Sequence, residues 1–395
     1  MSYDVLLGRS RSFVSLVSIA LALTACAAEP ELQAAEEALR VELTPHAIAY
    51  DFAQLDSLPH GIAGDEELVF VTQPLTGRVV ALDRLSGRVR GELTPPSPEG
   101  FLLPFGVRVP ESGHLVVLDA GGFPSASGFA TPRIYDYAYD YDPLRRRLTA
   151  TLTRSVRFDG IPVGFSEDIA VLDDGSIVLT DSVLGAIWVV GDDGVIRPGI
   201  VPASFAPTDA IPELAPCGLP AGIVVGGVPF ATLGNFAPGV GSVAERDGYL
   251  YFSGTCSGGI WRVPTSVFDD ARPPHERADD IVPISPRPAG VLAEALKGLA
   301  FDDSQPDDPR IYFLDGFSLR LLRADVETGE REVVADDPRL FQFGVAADFL
   351  PPIAGSLSPL VVSSDQEHLF SAINAAIPAD AFELPFLITK VIVLD

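Results

Sequence analysis

The chain has 395 residues, 47% of them hydrophobic, enough to bury the core of one large all-β domain or of two or three ordinary domains. Its 54 acidic residues outnumber 27 basic ones, and the formal net charge of -27 leaves no basic footprint for nucleic acid or an anionic lipid surface. Lys297 and Lys390 are the only lysines; every other basic residue is arginine.

Arg9 and Arg11 precede an apolar run of 11 residues, Phe13 to Leu23, and then Leu23-Thr24-Ala25-Cys26. The run is well short of the roughly 20 residues a membrane-spanning helix needs, so residues 1–25 read as a signal peptide. Leu-Thr-Ala-Cys looks like a bacterial lipobox, with Cys26 the lipidated first residue of the mature chain. Ala27, not an aspartate, follows Cys26, which resembles outer-membrane sorting. The expected location is therefore exported and lipid-anchored, at the outer membrane, in the periplasm or at the cell surface. Residues 26–44, rich in alanine and glutamate, read as a tether.

From residue 45 one pattern returns. A small-hydrophobic strand is followed by a turn, an apolar strand often ending in Asp or Gln, and a further strand carrying an aromatic or arginine. The apolar strands are Leu68-Val69-Phe70-Val71, Leu115-Val116-Val117-Leu118, Ile177-Val178-Leu179-Thr180, Tyr249-Leu250-Tyr251-Phe252, Ile311-Tyr312-Phe313-Leu314 and Leu360-Val361-Val362. Asp173-Asp174-Gly175, Asp192-Asp193-Gly194 and Arg246-Asp247-Gly248 supply hairpin turns. Six such units predict an all-β, six-bladed β-propeller of four-stranded blades over residues 45–395. A strand around Ile48 to Phe52 is expected to share a blade with Phe386 to Leu394 and so close the ring.

A Gly/Pro-rich insertion, about 198–241, is longer than the repeat needs, and is expected to cover one face of the ring. It contains Cys217. With Cys26 taken by lipid, Cys217 and Cys256 remain, and a disulfide between them is expected in an oxidising compartment. A catalytic thiol at Cys256 is the sharper alternative.

The stretches Gly164 to Val171 and Asp181 to Trp188 resemble a blade of the SMP-30/gluconolactonase family, which shares its architecture with NHL-repeat proteins. Val117 to Asp119 and Arg133 to Tyr137 are similar to a blade of the Yellow and royal-jelly proteins. The SMP-30 resemblance implies a channel site for a divalent metal, held by a carboxylate, two asparagines and an aspartate. The positions in register are His60, Phe105, Glu167 and Gly241, of which Glu167 alone is a carboxylate. Phe105 and Gly241 offer no side-chain oxygen to a cation such as Ca2+, which takes six or more. A rearranged site would have to use Glu167, Asp168 and Asp181.

Glu167-Asp168 is the leading pointer, since two carboxylates at an inner-strand entrance could hold a cation or act as a base; Asp168 as a turn cap is the structural alternative. His60 and Lys297 occupy the matching place in other blades and could line the same channel and bind an anionic ligand. Asp119, Asp181 and Asp315 recur at the end of the second strand, which points to turn hydrogen bonds. Tyr135, Tyr137, Tyr139 and Tyr141 fit one face of a packed strand. The cluster Asp302, Asp303, Asp307 and Asp308 fits a solvated turn. Nucleophile-elbow, zinc-protease, Cys-x-x-Cys and phosphate-loop signatures are missing. The expected function is a membrane-anchored propeller binding a small molecule or protein partner, not nucleic acid, at its channel mouth. The alternative is a lactone or ester hydrolase dependent on Ca2+ or another divalent cation, held by Glu167 and Asp168.

Overall fold

The apolar second strands are buried on both faces, as a central strand packed between two neighbouring sheets must be. In Leu68–Gln73 all six residues are buried, with Phe70 turned into one neighbouring core and Val69 and Val71 into the other. The computed structural model describes residues 40–47, 56–94, 99–123, 131–231, 238–254, 258–353 and 356–394. The expected signal segment 1–25, Cys26, the expected tether up to residue 39 and Cys256 lie outside the described residues.

Six antiparallel four-stranded sheets follow one another along the chain, and no α-helix occurs among the described residues. From the axis outward, blade 1 is Ile62–Gly64, Leu68–Gln73, Arg78–Asp83 and Val89–Glu92. Blade 2 is Pro104–Glu111, His114–Asp119, Arg133–Asp142 and Arg147–Arg157, and blade 3 is Ile169–Val171, Ile177–Asp181, Ala186–Val190 and Ile196–Ile200. Blade 4 is Val240–Arg246, Tyr249–Gly254, Ile260–Pro264 and Val282–Ser285, and blade 5 is Leu296–Phe301, Arg310–Asp315, Arg320–Asp325 and Arg331–Ala335. Blade 6 runs Gly344–Phe349, Leu360–Ser364 and Ile388–Leu394, and takes its outer strand from Arg40–Ala47. The inner strands touch in order around the ring, blade 6 meeting blade 1, so the architecture is a closed six-bladed β-propeller.

The ring therefore closes as expected in kind but not in place. Arg40 pairs with Leu394 and Ala47 with Ile388, so blade residues begin inside the expected tether. The expected closing strand, 48–52, lies outside the described residues.

Six apolar cores lie between successive blades, each built from both neighbours. Tyr135, Tyr137 and Tyr139 lie in the core between blades 1 and 2, as their period-two spacing predicts. Each fully buried Val, Leu or Phe contributes about 1.5–3 kcal/mol relative to exposure, so the energy that fixes the ring is spread over all six junctions.

Polar ties repeat at the channel. A hydroxyl late in the second strand reaches the next blade's inner strand: Thr72 Oγ1 donates to the Phe105 carbonyl at 2.8 Å and Ser253 Oγ to that of Leu296 at 2.9 Å. Ser363 Oγ donates to the His60 carbonyl, just before the inner strand of blade 1, across the closure. The recurrent aspartates do the structural work expected of them. Asp119 accepts from the Leu102, Leu103 and Gly121 amides, and Asp315 from those of Ala295 and Phe317. Asp302 accepts from Ser304 and Gln305 in the turn between Leu296–Phe301 and Arg310–Asp315.

The insertion is shorter at both ends than 198–241, because Ile196–Ile200 completes blade 3 and Val240 opens blade 4. Its small hairpin, Val224–Val225 with Val228–Pro229, packs Ile223, Val225 and Phe230 against Phe317, Leu319 and Phe343 of blades 5 and 6.

Candidate functional site

The channel has two mouths. The one at the starts of the inner strands opens into a cavity of about 520 Å³. Phe105, Phe123, Phe165, Val183, Phe370 and Ile373 form its walls. Phe105 meets Phe165 edge-on at 5.1 Å between centroids, and Phe123 stacks on Phe165 at 6.0 Å. The floor is polar, made of His60, Glu167, Lys297, Asp365 and Glu367.

Lys297 is the centre of that floor. Its ammonium donates to Glu367 Oε2 at 2.9 Å, stands 3.7 Å from Glu167 Oε2, and lies 5.9 Å from the Phe343 ring centroid. All three ionic side chains are at most 11% exposed. Backbone geometry aims the lysine. Blade 5 bulges between Lys297 and Ala300, with Gly298 at φ +63°, and a Cβ there would fall 2.9 Å from blade 6 backbone atoms at Ala346 and Ala347. Gly241 makes room opposite, since a Cβ on it would stand 2.9 Å from Glu167 Oε2.

Charge states follow from burial and neighbours. Burial opposes the charge on Lys297, but Glu367, Glu167 and Asp365 outweigh it and hold the ammonium firmly protonated. Burial raises the Glu167 carboxyl, with Lys297 opposing and Glu367 adding to the rise. Burial and then Glu367 push Asp365 well above the usual carboxylate range. His60 is held well below the ordinary histidine value by burial and by Lys297, so its imidazole is neutral near pH 7. It packs on Phe105 at 4.1 Å, and its Nε2 lies 4.0 Å from Asp365 Oδ2.

The expected carboxylate pair does not form one site. Glu167 faces the floor, whereas Asp168 accepts from Arg108 Nη2 at 2.7 and 2.8 Å, from the Val243 amide at 3.1 Å and from Ser242 Oγ at 3.3 Å. That carboxylate ties blades 2, 3 and 4 together. Asp181 is also occupied, accepting from the amides of Gly164 at 2.9 Å, Phe165 at 3.2 Å and Leu184 at 3.0 Å. His60 and Lys297 do share the channel mouth, but the first is neutral and the second is already paired with carboxylates, which removes the expected anion site. Asp365 and Glu367 escaped the sequence reading. They lie just past the second strand of blade 6, in the connection 365–387, where only the Ser363-Ser364-Asp365 run hinted at the strand-end aspartate of other blades.

A divalent cation does not fit this donor set. The place between Glu167 and Glu367 is held by the Lys297 ammonium, Asp168 and Asp181 are bound elsewhere, and Phe105 and Gly241 add no side-chain oxygen. Among the described residues, no group of three or more His, Cys, Asp or Glu side chains is arranged to hold a metal.

The opposite mouth opens into a cavity of about 770 Å³, lined by Arg108 and Arg154 among acidic residues that include Asp136, Glu245 and Asp348.

No protein-family profile matches the chain, and no curated protein matches it in sequence. Among solved structures, a Bacteroides thetaiotaomicron protein of unknown function is similar with a TM-score of 0.53 and 12% identity, over 90% of this chain and 76% of that one. A luciferin-regenerating enzyme is similar with a TM-score of 0.52 and 9% identity, over 89% of this chain and 95% of the other. A gluconolactonase from Xanthomonas campestris is similar at 0.49 and 14%, over 90% of each chain. At these identities the likeness shows the fold alone, and that fold is the six-bladed β-propeller.

Proposed function

We propose that this propeller is an exported, lipid-anchored protein that binds a small, largely apolar molecule in the cavity at the starts of its inner strands. The observation that carries this reading is the cavity itself: aromatic walls over a buried floor whose lysine is paired within the protein. Such a pocket rewards a ligand that buries hydrocarbon against the Phe walls and places one polar group near Glu167. The test is a calorimetric screen of aryl-alkyl alcohols, amines and acids against the wild type and Phe165→Ala. Binding weakened about tenfold or more by the truncation is expected, since a buried aromatic wall contributes over 1.4 kcal/mol. Equal affinity in both proteins would place the ligand elsewhere.

The second reading is hydrolysis of a lactone or ester. It draws on Glu167, whose carboxyl burial raises beside the apolar walls, as a candidate acid-base group. Turnover of lactones or aryl esters that is lost in Glu167→Gln would establish it over simple binding.

The anchor belongs to the same proposal. Labelled fatty acid should enter the wild-type protein and not Cys26→Ser, and label in both would sink it. Cys217 and Cys256 are proposed to be joined; alkylation before and after reduction should differ by two thiols, and labelling of both without reductant would refute the bond.

A further inference from the structure

We infer that the Lys297 ammonium is the resident cation of the channel floor, holding Glu167 and Glu367 together beside Asp365, and that deleting its charge turns the floor into a divalent-cation site. This goes beyond the proposed binding role and holds whatever the cavity takes.

Three acidic side chains lie together at the channel floor from two blades, each of them at most 11% exposed. Carboxylates brought together in that way need a cation among them or must keep protons. The ammonium meets the need from within the chain, 2.9 Å from Glu367 and 3.7 Å from Glu167. The residue type supports the assignment. Apart from Lys297 and Lys390 every basic residue is arginine, yet the floor holds a lysine. A guanidinium is a planar fork matched to one carboxylate, whereas an ammonium is a compact point charge that can face several at once, as a small metal ion does. The backbone is adapted to the same end, with Gly298 bulging to aim the lysine and Gly241 leaving space behind Glu167.

Glu167, Asp365 and Glu367 carry six carboxylate oxygens between them, enough for a hard cation completed by water. Calcium holds oxygens at about 2.3–2.6 Å, so Glu167, 3.7 Å from the ammonium, would have to close in by roughly 1.1–1.4 Å once the ammonium is gone. Methionine is the replacement of choice, because it fills the apolar stem of the lysine and ends one atom short of Nζ.

The experiment titrates calcium and then manganese calorimetrically into chelator-treated full-length wild type, Glu367→Gln, Lys297→Met and the Lys297→Met/Glu367→Gln double variant. Acidic surface sites contribute equally to all four and cancel in the comparison. In the wild type no component should depend on Glu367. Lys297→Met should gain one ion with Kd on the order of 10⁻⁴ M or tighter, lost again in the double variant. A one-ion component in the wild type that Glu367→Gln abolishes would overturn the inference, since ammonium and metal would then coexist. So would a folded Lys297→Met protein, judged by circular dichroism, with no Glu367-dependent binding. Should Lys297→Met be unfolded in chelator, it is refolded across a calcium series. Recovery of the β spectrum that requires Glu367 supports the inference, and no recovery at saturating calcium refutes it.

Discussion

Asp168 joins Arg108 of blade 2 to Ser242 and Val243 of blade 4, with both members of the ion pair no more than 20% exposed. Asp168→Ala should therefore cost about 2–4 kcal/mol in urea unfolding, because it removes the carboxylate of a largely buried ion pair and leaves the guanidinium only the Val107 and Val243 carbonyls. A loss below about 0.5 kcal/mol would mean that water replaces the carboxylate at little cost. Asp168→Asn keeps an acceptor for the Val243 amide and should fall between the two. The sequence shows Glu167 and Asp168 as a pair, yet successive side chains of an extended chain point to opposite sides, so adjacency argued against a shared site. Lys297 and His60 were legible as channel residues because they hold the same register place in their blades. Their partners Asp365 and Glu367 were not, because they lie in a connection that no repeat numbers.

Strand periodicity and the strand-end aspartates made the blades readable, while the outer closing strand was not, since residues 40–47 carry no repeat mark. Arg40–Ala47 pairs along its length with Ile388–Leu394, and without it that strand becomes an exposed edge. A chain beginning at residue 39 should stay monomeric in light scattering, whereas one beginning at residue 48 should associate and melt at lower temperature. Equal behaviour would show that closure by this strand is dispensable. Gly298 makes a second prediction at this scale. Gly298→Ala should lose about 2 kcal/mol or more, from a left-handed φ of +63° and a Cβ 2.9 Å from blade 6 backbone atoms. Substitution at the exposed Gly290, φ +87° with nothing near its Cβ, isolates the conformational part.

Across the whole ring, buried titratable groups set opposing trends with pH. Glu294, 5% exposed, accepts from Arg331 Nη1 at 2.7 Å through Oε1, while Oε2 lacks a hydrogen-bond partner. Burial, opposed by Arg331, pushes its carboxyl up to about 7. His368, buried and stacked on Phe343, is lowered by burial to about 4. The folded protein thus binds more protons than the unfolded chain at Glu294, whose contribution is complete below about pH 4.5 and is lost as pH rises through 7. At His368 it binds fewer, so that contribution is present above about pH 6.5 and is lost as pH falls through 4. Between those limits the two oppose each other; above about pH 6.5 Glu294 acts alone of the two. Glu294→Gln keeps an acceptor for Arg331 and removes the titration. The fall in unfolding free energy from about pH 5 to about pH 8 should be smaller in the variant by about 2–3 kcal/mol, a ceiling that follows from the size of the shift. Parallel stability curves for the two proteins, measured by urea unfolding, would show that Glu294 keeps an ordinary carboxylate value and that its burial is relieved by water.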